Sequence, residues 1–116
     1  MENIRKNLQL SELLRKELAQ IILREIEFPQ NSLSTIINVK TKPDFSRADI
    51  FISVTPEEKE DRILKLLQRK SGHLRYLLNN RLARQSVPQL RFRLKKEDTS
   101  PEEKLEEIFN QLAQNQ

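Results

Sequence analysis

The sequence predicts a single α+β domain with three strands in one mixed sheet. Amphipathic segments with helical spacing alternate with short β-branched segments, and a long helical stretch separates the second strand from the third. Such a crossover joins parallel strands, whereas a short turn joins antiparallel ones. The length of 116 residues, with one glycine and five prolines, suits one domain without flexible linkers.

The first half of the chain predicts a helix followed by a β-hairpin. Residues 34–40 are rich in β-branched residues, and 47–54 alternate apolar with polar residues, as half-buried strands do. The turn-forming segment 41–46 separates them, so the strands should pair antiparallel and leave one sheet face to solvent. The helix covers 8–27, and Pro29 ends it. Its apolar residues have helical spacing: Leu10, Leu13, Leu14, Leu18, Ile21 and Ile22.

The middle of the chain predicts two helices that meet at a kink. In the sequence Thr55-Pro56-Glu57-Glu58, we expect Thr55 to cap the helix, Pro56 to occupy its first position and Glu58 to bind the cap nitrogen. The bend is expected at Ser71 and Gly72, because glycine weakens a helix interior by about 1 kcal/mol relative to alanine. The apolar stripes are Ile63, Leu66 and Leu67 before the bend, and Leu74, Leu77, Leu78 and Leu82 after it.

A third strand and a last helix complete the predicted order. In 89–95, after Pro88, three apolar residues (Leu90, Phe92 and Leu94) alternate with three basic ones (Arg91, Arg93 and Lys95). Ser100-Pro101-Glu102-Glu103 repeats the capping pattern. We therefore divide the chain into a domain over 1–96 and an acidic C-terminal helix over 97–116, packed on that domain or appended to it. The apolar stripe of this helix is Leu105, Ile108, Phe109 and Leu112.

Basic residues are concentrated in one segment. Residues 62–96 contain eleven Lys or Arg and no Asp or Glu, although the net charge is only +4, and 97–116 contain six acids and one base. A long segment of one sign favours a polyanionic partner, while the alternative is a solvated face that maintains solubility. The candidate RNA-binding residues are Arg62, Lys65, Arg69, Lys70, Arg75, Arg81, Arg84, Arg91, Arg93, Lys95 and Lys96.

Part of this segment has the spacing of a phosphate-binding surface. Arg62, Lys65 and Arg69 follow each other at i, i+3 and i+7, which places them on one face of their helix. Gly72 lacks a side chain, so a nucleic-acid backbone can approach the kink closely. Such contacts bind phosphate with strong salt dependence. We expect recognition of folded RNA through its shape and backbone.

Aromatic side chains give little support for base stacking. Tyr76 and Phe51 are the plausible stacking residues. We expect Tyr76 to lie in the core, and the sequence leaves Phe51 open between core and stacking platform.

No catalytic or metal site is predicted. His73 is the only histidine and the chain has no cysteine, so a structural or exposed role is expected for it and thiolate chemistry is excluded. One glycine cannot form a phosphate-binding loop. We expect no enzymatic activity, metal, cofactor or small-molecule substrate.

No apolar run approaches the roughly 20 residues of a membrane span, and no secretion signal is evident, so the predicted location is cytoplasmic.

Four groups of short sequences occur at characteristic places in this element order: Arg24-Glu25-Ile26 with Pro29, Asp44-Phe45 with Ala48, Ser71-Gly72 with Arg75 and Leu78, and Val87-Pro88 with Leu90 and Phe92. In order and spacing they resemble the ribosome-binding factor A family over residues 5–112. The resemblance implies a type II KH-like fold, α-β-β-α-kink-α-β, without the Gly-x-x-Gly loop of ordinary KH domains. It also implies a factor that binds the free small (30S) ribosomal subunit and its 16S rRNA and promotes late maturation of that RNA, with importance in cold growth.

Some positions depart from the family pattern, and some alternatives stay open. Lys70 stands where alanine is usual at the kink, and it either adds a phosphate contact or changes the kink geometry; further departures are Phe28, Gln85 and Gln89. Besides a monomeric RNA-binding assembly factor, the chain fits a module that docks a basic protein through its acidic helix, or a general nucleic-acid-binding domain. The acidic helix itself is autoinhibitory, structural or partner-docking.

Overall fold

A helical layer packs on one three-stranded sheet. Residues 2–83 and 86–98 are described by the computed structural model. The elements are α1 (Glu2–Glu25), β1 (Leu33–Thr41), β2 (Arg47–Thr55), α2 (Glu60–Arg69), α3 (Ser71–Leu82) and β3 (Gln89–Leu94), with 3-10 turns at Glu57–Lys59 and Lys95–Glu97. This order of elements confirms the predicted α+β class and the type II KH-like arrangement.

The sheet is mixed, as predicted, with the strand order β1-β2-β3. β1 and β2 are antiparallel, and β3 is parallel to β2 because α2 and α3 form the crossover between them. The hairpin turn is held locally. The Lys42 amide donates to the Arg47 carbonyl at 2.8 Å, and the Asp44 carboxylate accepts the Ser46 amide at 3.0 Å and the Ser46 hydroxyl at 2.7 Å.

The hydrophobic core lies between the helices and one face of the sheet. α1 contributes Leu14 and Leu18, and the sheet contributes Ile50 and Ile52. Burial of each such side chain stabilises the fold by about 1.5–3 kcal/mol. The α2 and α3 residues in the core are Ile63, Leu67, Leu74 and Leu78. Leu13 is exposed, contrary to its predicted place in the α1 stripe, because it lies at the edge of that stripe.

The predicted starts of the first two helices differ from the structure. α1 begins at Glu2 rather than at residue 8. The sequence did not indicate the earlier start, because residues 2–7 contain only one apolar residue, Ile4, and so show no apolar periodicity. The predicted cap by Thr55 is wrong. β2 continues through Thr55, which pairs with Leu33, and Pro56 follows in an extended conformation after a cis peptide bond.

The predicted kink is confirmed, but the backbone breaks at Lys70 and not at the glycine. Lys70 has φ −89° and ψ 0° between the two helices. Its amide donates to the Leu66 carbonyl at 3.1 Å, and its carbonyl accepts the Leu74 amide at 3.0 Å. Gly72 lies in the first turn of α3 without a positive φ, and a Cβ there would meet nothing within 4 Å. The backbone conformation therefore does not require glycine at this position.

The chain after β3 turns over the sheet face that is opposite the helices. β3 ends at Leu94, so Lys95 lies in the following 3-10 turn and not on the strand as predicted. This turn contacts β2, and Asp98 is buried. The face predicted to be left to solvent is therefore partly covered. The predicted C-terminal helix lies, apart from Glu97 and Asp98, outside the described residues.

No helix in the described ranges is long and apolar enough to cross a membrane.

Candidate nucleic-acid interface

Three basic residues of α2 lie together on its exposed side: Arg62, Lys65 and Arg69, hereafter the α2 basic face. Ile63 and Leu67 fix this orientation, because both are buried on the opposite side of the same helix. The α2 basic face lines a groove of about 490 Å³ between α2 and the segment that follows α1. The other lining residues are Glu27, Phe28, Pro29 and Leu66.

Within the part of the chain that the structure describes, the α2 basic face has no ion-pair partner. Among residues 2–83 and 86–98, no carboxylate forms an ion pair with it, whereas Arg81 and Lys96 are both paired. With respect to the described residues, its side chains therefore keep their donors for an external anion. The α2 basic face therefore has both the charge and the accessibility that a phosphate-binding surface needs.

A second groove continues from Lys65 along the free edge of β3. Arg91 is exposed there, and Arg47 lies nearby with an ion pair to Asp49 at 3.2 Å. The Gln68 side-chain carbonyl accepts the Phe92 amide at 3.0 Å, so α2 satisfies a backbone donor of this edge strand. Because the Phe92 amide is already paired, a ligand in this groove would contact side chains and not that backbone donor.

A third groove lies at the kink. It is lined by Gln68, Gln89 and Leu90, which it shares with the edge groove, and by Ser71, Gly72 and Arg75. Arg75 Nε donates to the Val87 carbonyl at 2.8 Å, so one side of its guanidinium is held by the fold. A guanidinium has five N–H donors, which leaves others for a ligand. Lys70 is exposed beside this groove.

The structure thus brings six of the predicted residues into one continuous region, the α2–β3 surface: Arg62, Lys65, Arg69, Lys70, Arg75 and Arg91. Four others have partners elsewhere. Arg81 Nε lies 2.6 Å from Glu17 and Lys96 Nζ lies 3.1 Å from Glu60, which raises the pKa of Lys96. Arg91 and Arg93 lie on the same face of β3, but Arg91 lines the edge groove, whereas Arg93 lies against Phe51 and Lys95 pairs with Asp98. Arg84 lies outside the described residues.

Tyr76 and His73 are exposed aromatic side chains of α3. Tyr76 is 60% exposed, so the expectation that it lies in the core is wrong. Its ring is nearly parallel to that of His73, with centroids 6.5 Å apart. His73 is exposed and lies 3.8 Å from Glu25. No group of three His, Asp or Glu side chains in the described ranges is arranged to hold a metal.

Sequence reasoning missed three polar residues of the α2–β3 surface: Arg47, Gln68 and Gln89. Arg47 and Gln89 are partners in the parallel β2–β3 register. No local signal links them, because 42 positions of chain separate them and charge is balanced around Arg47. Only the sheet topology places them together.

Comparisons with known proteins agree on one family. The family model described as Ribosome-binding factor A matches residues 6–109. Ribosome-binding factor A from Cupriavidus metallidurans is 39% identical over 101 residues, which cover 87% of this chain and 79% of the relative. Another relative of the same name, from Halothermothrix orenii, is 34% identical over 86 residues, which cover 73% of this chain and 70% of the relative.

Solved structures with the same family name share the fold. The crystal structure of ribosome-binding factor A from Thermus thermophilus aligns with a TM-score of 0.69 and 25% identity, covering 79% of this chain and 98% of that one. A homology model of Thermus thermophilus ribosome-binding factor A, fitted into the cryo-electron microscopy map of a 30S complex with that protein, has a TM-score of 0.65 and 24% identity. It covers 78% of this chain and 97% of that one.

Proposed function

Because the chain belongs to the ribosome-binding factor A family, we propose that it binds the free small (30S) ribosomal subunit and its 16S rRNA and promotes late maturation of that RNA. In this proposal it acts as a monomeric, cytoplasmic binding protein and not as an enzyme, and it matters most in cold growth. The relative fitted into a 30S map supports the choice of partner. The α2 basic face is the observation that carries the proposal.

The α2 basic face suits contacts with a folded RNA backbone. From Arg62 to Arg69 the helix rises about 10 Å, so the three side chains span more than one phosphate of a strand. α2 is held rigidly by Ile63 and Leu67 in the core. A rigid row of cations recognises the path of phosphates without reading base edges.

The remainder of the α2–β3 surface extends the proposed contact in two directions. Arg91 extends it along the β3 edge, and Lys70 and Arg75 extend it around the kink. The open space at Gly72 lets an RNA backbone approach that kink closely. We assign Arg81, Arg93, Lys95 and Lys96, which all have acidic partners, to the surrounding positive field. Arg84 belongs to the same proposed set.

Co-sedimentation with purified small subunits, large subunits and whole ribosomes, at low and moderate salt, tests this function. We expect selective binding to free small subunits that weakens steeply as salt rises. Equal binding to every particle, or binding to none, would contradict the proposal. Competition with duplex DNA separates it from a general nucleic-acid-binding domain, because DNA of equal phosphate content should compete poorly with 16S rRNA.

A further inference from the structure

The sheet face opposite the helices, hereafter the outer face, carries a buried aromatic ring. The strand pairing places Phe51 beside Asn38 of β1 and Arg93 of β3 on this face. Phe51 is only 3% exposed, yet it takes no part in the helix-covered core. The Lys40 ammonium and the Arg93 guanidinium lie 5.4 and 5.8 Å from its ring centroid.

Asp98 anchors the chain on the outer face. Its side chain is 1% exposed, and its carboxylate accepts hydrogen bonds from Lys40 of β1 and, at 3.2 Å, from Lys95. Lys40 is 58 positions away in sequence. The 3-10 turn after β3 has therefore carried the chain across β2 to β1 by the point at which the described residues end.

Apolar side chains of β1 remain exposed beyond this anchor. Leu33 is 66% exposed and Ile37 is 43% exposed. Leu33 is opposite Thr55 in the register, and a β-bulge at Ile37 separates the core-facing Ile36 from the core-facing Val39. Both exposed side chains therefore belong to the outer face. No side chain from residues 2–83 or 86–98 covers them.

The chain beyond Asp98 has the length and pattern to cover these side chains. Residues 99–116 carry an apolar stripe at i, i+3, i+4 and i+7: Leu105, Ile108, Phe109 and Leu112. As a helix, this stripe is about 10 Å long. The step from Leu33 to Ile37 along β1 is about 13 Å. The chain also leaves Asp98 beside Lys40, about 10 Å along the strand from Ile37.

We propose that residues 99–116 form an amphipathic helix whose apolar stripe packs on Leu33 and Ile37 of the outer face, with Asp98 as its anchor. The occupant of this face is then the chain's own C-terminal segment. Because α2 lies in the opposite layer, the acidic segment leaves the α2 basic face open. Among its possible roles, the segment is thus a structural cover and not an autoinhibitor. This inference does not depend on the proposed ribosomal function.

Disulfide trapping in the full chain tests the proposal, since the natural sequence has no cysteine. Ile37→Cys is combined in turn with Leu105→Cys, Phe109→Cys and Leu112→Cys, and mild oxidation is followed on non-reducing gels and by mass spectrometry. We expect an intramolecular disulfide in at least one pair, because its sulfurs come within bonding reach. The control pairs Leu23→Cys, exposed on α1, with the same three positions. Equal trapping in both sets, or none with Ile37→Cys, would overturn the proposal.

A second experiment leaves the apolar stripe of residues 99–116 unchanged. A nitroxide label on Asn110→Cys lies on the side of the proposed helix away from the stripe. In NMR spectra of the labelled protein, we expect the nitroxide to broaden the backbone amide signals of residues 33–37 and not that of Leu23. Uniform or absent broadening would place the segment elsewhere and overturn the proposal, whatever its effect on ribosome binding.

Discussion

Arg75, one of the proposed RNA-binding residues, also stabilises the fold. Arg75 and Asn79 of α3 bind the carbonyl and the amide of Val87, at 2.8 and 3.0 Å, just before β3. Val87 is fully buried. These two side chains therefore fix the path by which the crossover returns to the sheet.

We predict that Arg75→Gln lowers the free energy of unfolding by about 1–3 kcal/mol, because a hydrogen bond from a charged donor to a buried carbonyl is lost. Urea denaturation measures the change. Arg69→Gln is the matched control, since Arg69 is exposed and has no acidic partner among residues 2–83 and 86–98, and it should change stability by no more than about 0.5 kcal/mol. Equal losses in the two variants would show that the Val87 contact does not stabilise the fold.

Asp98 gives a prediction about pH. Burial raises the pKa of this carboxyl, but the hydrogen bonds from Lys40 and Lys95 outweigh burial and hold the pKa below its ordinary value of 3.8. Because the folded-state pKa is lowered, this stabilisation is complete above about pH 4 and is lost as pH falls through the folded-state pKa.

We therefore expect Asp98→Asn to lower the free energy of unfolding by roughly 1 kcal/mol at pH 7, since both lysines are partly exposed. Urea titrations at pH 7 and pH 3 should show that this difference shrinks in acid. The control Glu12→Gln removes a carboxylate that is paired with Arg15 on the surface of α1, and it should have little effect at either pH. A difference for Asp98→Asn that is constant with pH would rule out the ionised carboxylate as its source.

At the scale of elements, a substitution at the kink between α2 and α3 should change stability and binding in opposite directions. Gly72 is helical, without positive φ, and has open space around it. We predict that Gly72→Ala stabilises the fold by about 0.5–1 kcal/mol and weakens small-subunit binding, because the methyl group occupies the space for an RNA backbone. Thermal denaturation and co-sedimentation measure the two effects.

Asn80→Ala is the control for this pair of effects, because Asn80 is exposed further along α3. It should favour the helix without changing binding. If Gly72→Ala bound small subunits as tightly as the natural protein does, the kink would not be a close contact.

The α2 element also shows how far local sequence patterns predict structure. The spacing of Ile63 and Leu67 predicted which side of α2 is buried, and hence the α2 basic face. The expected cap at Thr55 failed because strand pairing with Leu33 extends β2 through that residue. A capping motif describes only neighbouring residues, and here a longer-range pairing overrides it.

At the scale of the whole molecule, long-range contacts decide which basic residues remain available. Arg81 pairs with Glu17 of α1, and Lys95 pairs with Asp98 on the outer face. The sequence showed the positive segment but could not show these pairings, because Glu17 is 64 positions from Arg81 and Lys95 was expected on a strand. The helical spacing of Arg62, Lys65 and Arg69, by contrast, is local and was predictable.

The α2 basic face, and not net charge alone, is expected to bind the small subunit. The variant Arg62→Gln/Lys65→Gln/Arg69→Gln lowers the net charge from +4 to +1. The matched control Arg15→Gln/Lys16→Gln/Arg24→Gln makes the same change on α1.

The affinity of both triple variants for purified small subunits, measured across a salt series, separates these two sources of binding. We predict that the α2 variant loses at least about tenfold in affinity and that its log–log salt slope falls by about two to three, roughly one for each lost phosphate contact. The α1 control should stay close to the natural protein in both quantities. Equal losses in the two variants, or an unchanged slope for the α2 variant, would show that the α2 basic face is not the binding surface.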